Sequence, residues 1–161
     1  MRIAAVKVDE IPELLEIYNH YVRNTTVTFN TDELDEEQFI AAFCADTARY
    51  TLNTIYEDDL IVGYSSLNPF NKKEAYRRSA YVSIYLAPAS TGKGFGRRVL
   101  EHLEKQAGEM GYRSLIALIS KENQGSCAFF KQNGYRMVGE LQEAGEKFGR
   151  LLDVVYYQKL I

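Results

Sequence analysis

Apolar positions along the chain switch repeatedly between a period of two and a period near 3.6, and the switches mark the predicted elements. Residues 2–8, RIAAVKV, alternate weakly and predict a first strand. Ile11, Leu14, Leu15, Tyr18, Tyr21 and Val22 then recur at helical spacing, behind Asp9 as a candidate N-cap and Pro12 in a first turn. A polar, β-branched connection, RNTTVTFNTDEL, follows, and DEEQFIAAFCADTARY predicts a second helix burying Phe39, Ile40 and Phe43. YTLNTIYE and LIVGYSSLN, joined by Asp58 and Asp59, predict a hairpin, and AYRRSAYVSIYL predicts a further strand after the loop NPFNKKE.

The second half repeats the logic. Val99, Leu100, Leu103, Ala107 and Met110 form one helical stripe closed by Gly111, with Glu101 and Lys105 spaced for an i,i+4 pair. RSLIALIS is almost wholly apolar, as expected of a strand covered on both faces. A helix over about 124–133 ends at Asn133 and Gly134, and the strands YRMVGELQ and GRLLDVVYYQKL flank EAGEKFG as their connection. The order β-α-α-β-β-β-α-β-α-β-β predicts an α/β (α+β) domain over 1–161: one mixed, mostly antiparallel sheet of about seven strands with helices on both faces.

Composition narrows the function. A chain of 161 residues, 46% hydrophobic and 25% charged, is built for one packed core. No apolar run approaches the roughly 18 residues of a membrane span, so no membrane partner and a cytoplasmic location are expected. A net charge of -3 argues against nucleic acid. Cys44 and Cys127 lie far apart, which predicts reduced thiols, with Cys127 buried, rather than a disulfide framework. His20 and His102 lack metal-ligand spacing with each other or with either cysteine, so no metal is expected.

The stretch TGKGFGRR, residues 91–98, carries candidate chemistry. Three glycines between a strand and a helix let backbone N–H groups converge on an anion at a helix N-terminus, while a plain strand-to-helix turn would also favour glycine. Neither the P-loop nor the dinucleotide spacing fits. Thr91, Gly92, Lys93, Gly94, Phe95 and Gly96 resemble the Q/R-x-x-G-x-G/A pyrophosphate loop of the GCN5-related N-acetyltransferases, with Thr91 in place of the leading Gln or Arg. IYNHYVRNTTVTF, NPFNKKEAYRRSAYVSIYLAP, ENQGSCAFFKQNGY and AGEKFGRLLDVVYYQ extend the likeness over the whole chain, toward the branch that acetylates phosphinothricin and methionine sulfoximine.

That resemblance implies acetyl-CoA as donor, a small amine as acceptor, direct transfer and a homodimer. It implies cofactor contacts at Leu86, residues Thr91 to Gly96, Arg97, Asn123 and Phe130, with Lys93, Arg97 and Arg98 offsetting pyrophosphate charge. Asn123 reads equally as a helix N-cap. The branch's general-base Glu falls on Tyr81 and its Tyr or His acid on Phe130, so proton handling passes to Tyr81, with Tyr85 and Asn123 beside it, or Tyr81 is cross-strand packing. Phe29, Phe70, Asn19 and Thr28 match acceptor-pocket positions, the two Phe reading equally as core caps, and Arg77, on the strand face of Tyr81, would meet an acceptor carboxylate. Lys147, Gly149 and Asp153 keep the spacing of a C-terminal branch pattern in which Leu151 replaces Trp. A protein N-terminus or lysine as acceptor, or an acyl-CoA sensor without turnover, are the competing readings.

Overall fold

A computed structural model describes residues 1–43 and 49–161. Seven strands form one sheet: β1 (Arg2–Ala5), β2 (Thr51–Glu57), β3 (Leu60–Pro69), β4 (Ser79–Leu86), β5 (Ser114–Ser120), β6 (Arg136–Lys147) and β7 (Arg150–Leu160). Their spatial order is β1-β2-β3-β4-β5-β7-β6. Every neighbouring pair is antiparallel except β4 and β5, which run parallel.

Helices α1 (Ile11–Asn24) and α2 (Glu36–Phe43) bury Leu14, Tyr18, Val22 and Phe39 together with Leu52 and Tyr64 of the sheet. Helices α3 (Phe95–Glu109) and α4 (Gln124–Gln132) cover the other side, where Val99, Leu100, Leu103 and Phe130 meet Val82, Leu115 and Val155. The two-residue turn between β2 and β3 places Asp58 and Asp59 both at positive φ, the twist that matches a hairpin.

Several boundaries differ from expectation. β1 stops at Ala5, because Val8–Glu10 form a 3-10 turn in which Glu10, not Asp9, leads into α1. The Glu10 carboxylate is buried and accepts from Thr54 at 2.8 Å and from the Tyr56 hydroxyl, tying the helix entry to β2. Helix α2 ends at Phe43, and the expected continuation over Cys44 to Ala48 lies outside the described residues. Ile40, expected in the core, is 41% exposed on the outer face of that short helix. Glu101 pairs with Arg97 and Lys105 with Glu109, so the i,i+4 pairs of α3 exist one turn out of the expected register. Cys127 is half-buried rather than buried. EAGEKFG is not a loop: β6 runs through it with an irregularity between Leu141 and Gly145, and the turn sits at Phe148 and Gly149, both at positive φ.

Candidate active site

The site begins with a divergence in the sheet. β4 pairs with β5 only from Ser79 to Tyr81, against Ser114 to Ile116. Beyond that point β4 stays with β3 as far as Leu86 and β5 stays with β7 as far as Ser120, so the two halves of the sheet part. The edge of β4 from Val82 onward is therefore unladdered on the β5 side and available to a ligand's amides.

A cleft of about 720 Å³ fills the wide end of this wedge. Ile84 and Leu86 form one wall, the glycine loop closes one end, and Asn123 and Phe130 of the α4 region stand opposite. Gly92 and Gly94 have φ of 75° and 81°, and a Cβ at either would meet nothing within 4 Å. Gly94 is the N-cap of α3, so loop amides and the unpaired first amides of a 15-residue helix open on the same space. This is a cradle suited to a phosphate ester.

Most residues expected to hold a cofactor line that cleft: Leu86, Thr91, Gly92, Gly94, Phe95, Gly96, Arg97, Asn123 and Phe130. The Thr91 hydroxyl closes the preceding turn on the Pro88 carbonyl at 2.9 Å. The Leu86 carbonyl accepts from the Tyr21 hydroxyl at 2.5 Å, which fixes the end of β4 and engages one of the main-chain groups expected to face a ligand. Asn123 acts as the N-cap of α4, its Oδ1 accepting from the Ser126 amide at 3.1 Å. Lys93 is absent from the lining, its Nζ lying 2.9 Å from the Glu57 carboxylate in an exposed pair that an anion can displace at small cost.

A second cavity of about 300 Å³ meets the cleft at Val27 and Tyr85, which line both. Phe29, Phe43 and Leu118 give it apolar walls, and no Lys, Arg, Asp or Glu lines it among the described residues. Asn68 and Ser120 also line it, while Asn68 Oδ1 and Ser120 Oγ themselves are buried with no hydrogen-bond partner among the described residues.

The chain matches the Acetyltransferase (GNAT) family over residues 14–135. It belongs to the GNAT acetyltransferases. The phosphinothricin N-acetyltransferase of Streptomyces coelicolor is 31% identical over 155 residues, covering 94% of this chain and 91% of that protein. A structure described as a ribosomal-protein-alanine N-acetyltransferase from Brucella melitensis superposes with a TM-score of 0.93 at 33% identity, covering 100% of both chains. A GNAT-superfamily phosphinothricin acetyltransferase from Sinorhizobium meliloti in complex with acetyl-CoA gives a TM-score of 0.93 at 27% identity, covering 99% of this chain and 88% of that one.

With acetyl-CoA as the family's donor, the cleft is of the right kind for it: a glycine cradle for the pyrophosphate, an unladdered strand edge for amides, and an inner end at Val27 and Tyr85. Among the described residues, no Asp, Glu or His lines either cavity. Tyr81 lines the smaller cavity beside its β3 partner Asn68, and burial and the neighbouring Tyr156 push its phenol above the usual tyrosine range. Tyr85 is pushed up further by burial and by Tyr18, within a ring cluster where it stacks on Tyr64 with centroids 5.1 Å apart. Both phenols stay protonated at neutral pH, so they donate hydrogen bonds and do not abstract protons. Tyr81→Phe is therefore expected to lower turnover about tenfold with acetyl-CoA affinity unchanged. The pH profile below about pH 9 should keep its midpoint, because Tyr81 does not titrate there; initial rates across pH check this.

The remaining acceptor candidates divide. Phe29 and Thr28 line the smaller cavity. Phe70 does not: its ring lies 5.2 Å from Tyr81 and 5.5 Å from Tyr76, backing the Tyr81 phenol from outside. Asn19 is buried and spends its side chain on Leu34, donating to the carbonyl at 2.9 Å and accepting from the amide at 3.0 Å, which ties the connection after α1 to that helix. Arg77 precedes β4, which begins at Ser79, so strand alternation does not reach it; it is exposed and 3.4 Å from Glu74. Sequence reasoning missed Tyr21, Val27, Asn68, Ser120 and Phe129. Tyr21 was counted only in the apolar stripe of its helix and Phe129 was given no role, while Val27, Asn68 and Ser120 come from the first connection, β3 and β5 and meet only in the fold.

Proposed function

We propose that residues 1–161 act as one acetyl-CoA-dependent N-acetyltransferase domain whose acceptor is a small amino-acid-like amine of the phosphinothricin or methionine sulfoximine type. The observation that carries this reading is the meeting of two unequal cavities at Val27 and Tyr85, the larger ending on the glycine loop and the smaller sized for a small molecule. The family and the phosphinothricin acetyltransferases among its relatives support the same choice.

Bound in the larger cleft, acetyl-CoA would supply a thioester for the unprotonated amine, the C–S bond breaking as the C–N bond forms and the proton shed by the nitrogen passing to the CoA thiolate or to solvent. The chain contributes juxtaposition first, and alignment of an amine with a thioester is worth up to roughly 7–11 kcal/mol. Tyr81 adds a neutral donor at the pocket, Asn68 and Ser120 add polar side chains to its lining, and Phe29 gives it an apolar wall. With no Asp, Glu or His lining the pocket among the described residues, the rate should rise with pH as the acceptor amine itself loses its proton.

Two finer points belong to the same reading. Leu118 and Leu141 are each about half exposed, at 50% and 49%, and stand on one sheet face across β7, since Leu118 pairs with Tyr156 and Leu141 with Val154. A second copy of the chain would cover this face at the rim of the smaller cavity, and sedimentation of Leu118→Glu against the parent tests that homodimer. A cytosolic location accords with two cysteines far apart in the sequence.

The test is release of CoA thiol with phosphinothricin, methionine sulfoximine, methionine sulfone, ordinary amino acids and peptides beginning with alanine. Turnover on an amino-acid-like amine is expected. Turnover on the peptides alone would favour the protein-acetylating reading suggested by the Brucella melitensis neighbour's name, and tight acetyl-CoA binding without any turnover would favour a sensor.

A further inference from the structure

The C-terminal pattern Gly145-x-Lys147-x-Gly149 carries no reacting group, yet it sits against the acceptor cavity. Lys147 is only 3% exposed, and its Nζ donates to the Thr28 carbonyl at 2.8 Å. Burial of a lysine is costly without a partner, so a buried cation aimed at one carbonyl across 119 residues of sequence marks a contact the fold is built around. Two residues earlier on β6, Gly145 faces the ring of Phe29: a Cβ there would lie 2.4 Å from Cε2 and 2.5 Å from Cδ2. Gly149, at φ 68°, makes the turn that returns the chain into β7.

Thr28 is held from the other side as well. Its hydroxyl shares a hydrogen bond of 2.7 Å with the Tyr18 hydroxyl of α1. The segment Val27 to Phe29, which supplies one wall of the cavity, is thus clamped between α1 and the β6–β7 hairpin.

We propose that the β6–β7 hairpin sets acceptor specificity, with Lys147 as a positioning residue that holds the Val27–Phe29 wall through the Thr28 carbonyl while Gly145 leaves the Phe29 ring its place. The proposal rests on the reading of the smaller cavity as the acceptor site. Lys147 touches neither donor nor acceptor; it acts by fixing the distance between the Phe29 ring and the polar floor of Asn68 and Ser120, and so the size of side chain the pocket accepts.

The test uses Lys147→Met, which keeps the aliphatic stem and removes the donor, together with Gly145→Ala, Phe29→Ala and the double variant. Far-UV circular dichroism and melting first establish that each is folded. In Lys147→Met, hydrogen exchange in the peptide spanning residues 25–31 should quicken about tenfold while the peptide over α3 is unchanged. Acceptor KM should rise about tenfold, with kcat and the acetyl-CoA dissociation constant within about twofold. Gly145→Ala should raise acceptor KM similarly in the parent but by less than about twofold in the Phe29→Ala background, because its effect passes through that ring. Unchanged exchange over residues 25–31, or additive effects of Gly145→Ala and Phe29→Ala, would overturn the proposal, as would quickened exchange with an unaltered KM. Absence of transfer by the parent to every amine, with exchange still quickened in Lys147→Met, would instead locate the failure in the acceptor reading on which the specificity role depends.

Discussion

Replacing Gly94 with valine is expected to weaken acetyl-CoA binding about a hundredfold, which is close to 2.7 kcal/mol. Gly94 holds φ at 81° as the N-cap of α3, a conformation that costs a non-glycine residue roughly 1–3 kcal/mol, most for a branched one. The backbone would relax toward negative φ and turn the converging amides away from a common point. The open space beside Gly94, where a Cβ meets nothing within 4 Å, is the space the pyrophosphate is expected to use, so the new methyl groups would also compete with it. Stability should suffer less, since the loop is exposed and free to relax: a fall of a few degrees in Tm. Titration calorimetry with acetyl-CoA separates the two effects, and equal affinity in the variant would remove the loop from the binding site.

The second large effect is on stability. Gly63 on β3 pairs with Leu86 at the end of β4, and a Cβ there would lie 2.3 Å from the Tyr85 carbonyl oxygen and 2.9 Å from the Leu86 Cα. These are backbone atoms, which cannot rotate aside as a side-chain tip can. Gly63→Ala is expected to cost about 3 kcal/mol, at the upper end for overpacking, and to lower Tm by roughly 6–12 °C. Because Tyr85 and Leu86 both border the cleft, acetyl-CoA affinity should fall with it. Gly139→Ala is the control: a Cβ there meets nothing within 4 Å and φ is not positive, so a Tm within about 2 °C of the parent is expected. A melting temperature as high for Gly63→Ala as for Gly139→Ala would show that β3 and β4 do not approach as closely as described.

Much of this architecture was legible in the sequence, for identifiable reasons. Periodicity located the elements because each helix and strand buries one face, and the glycine loop was legible because positive φ and close approach leave a compositional trace at Gly92 and Gly94. Boundaries failed where tertiary contacts overrode local pattern. Glu10 starts a helix from a buried position because Thr54 and Tyr56 supply its partners from 44 and 46 residues away. β6 runs through EAGEKFG because β7 keeps pairing across an irregularity that single-strand alternation cannot express.

The site was half legible. The cleft that ends on the glycine loop depends on one local motif, and its lining holds most of the residues expected there, whereas the smaller cavity is assembled from the first connection, Phe43 of α2, β3, β4, β5 and β7, which no spacing rule connects. Arg77 was placed on the strand face of Tyr81 by starting β4 four residues too early, at Ala75, and Lys147 was left without a role because its partner, Thr28, lies at the other end of the chain.

The central claim is that acetyl-CoA lies in the wedge between β4 and β5 with its acetyl end toward Val27 and Tyr85. A crystal structure of the protein with acetyl-CoA tests it most directly. The account predicts pyrophosphate oxygens within hydrogen-bond distance of the Gly92, Gly94 and Gly96 amides, the pantetheine arm along the unladdered edge of β4, and the thioester where the two cavities meet. A cofactor bound elsewhere on the sheet, or a thioester directed away from the smaller cavity, would contradict it.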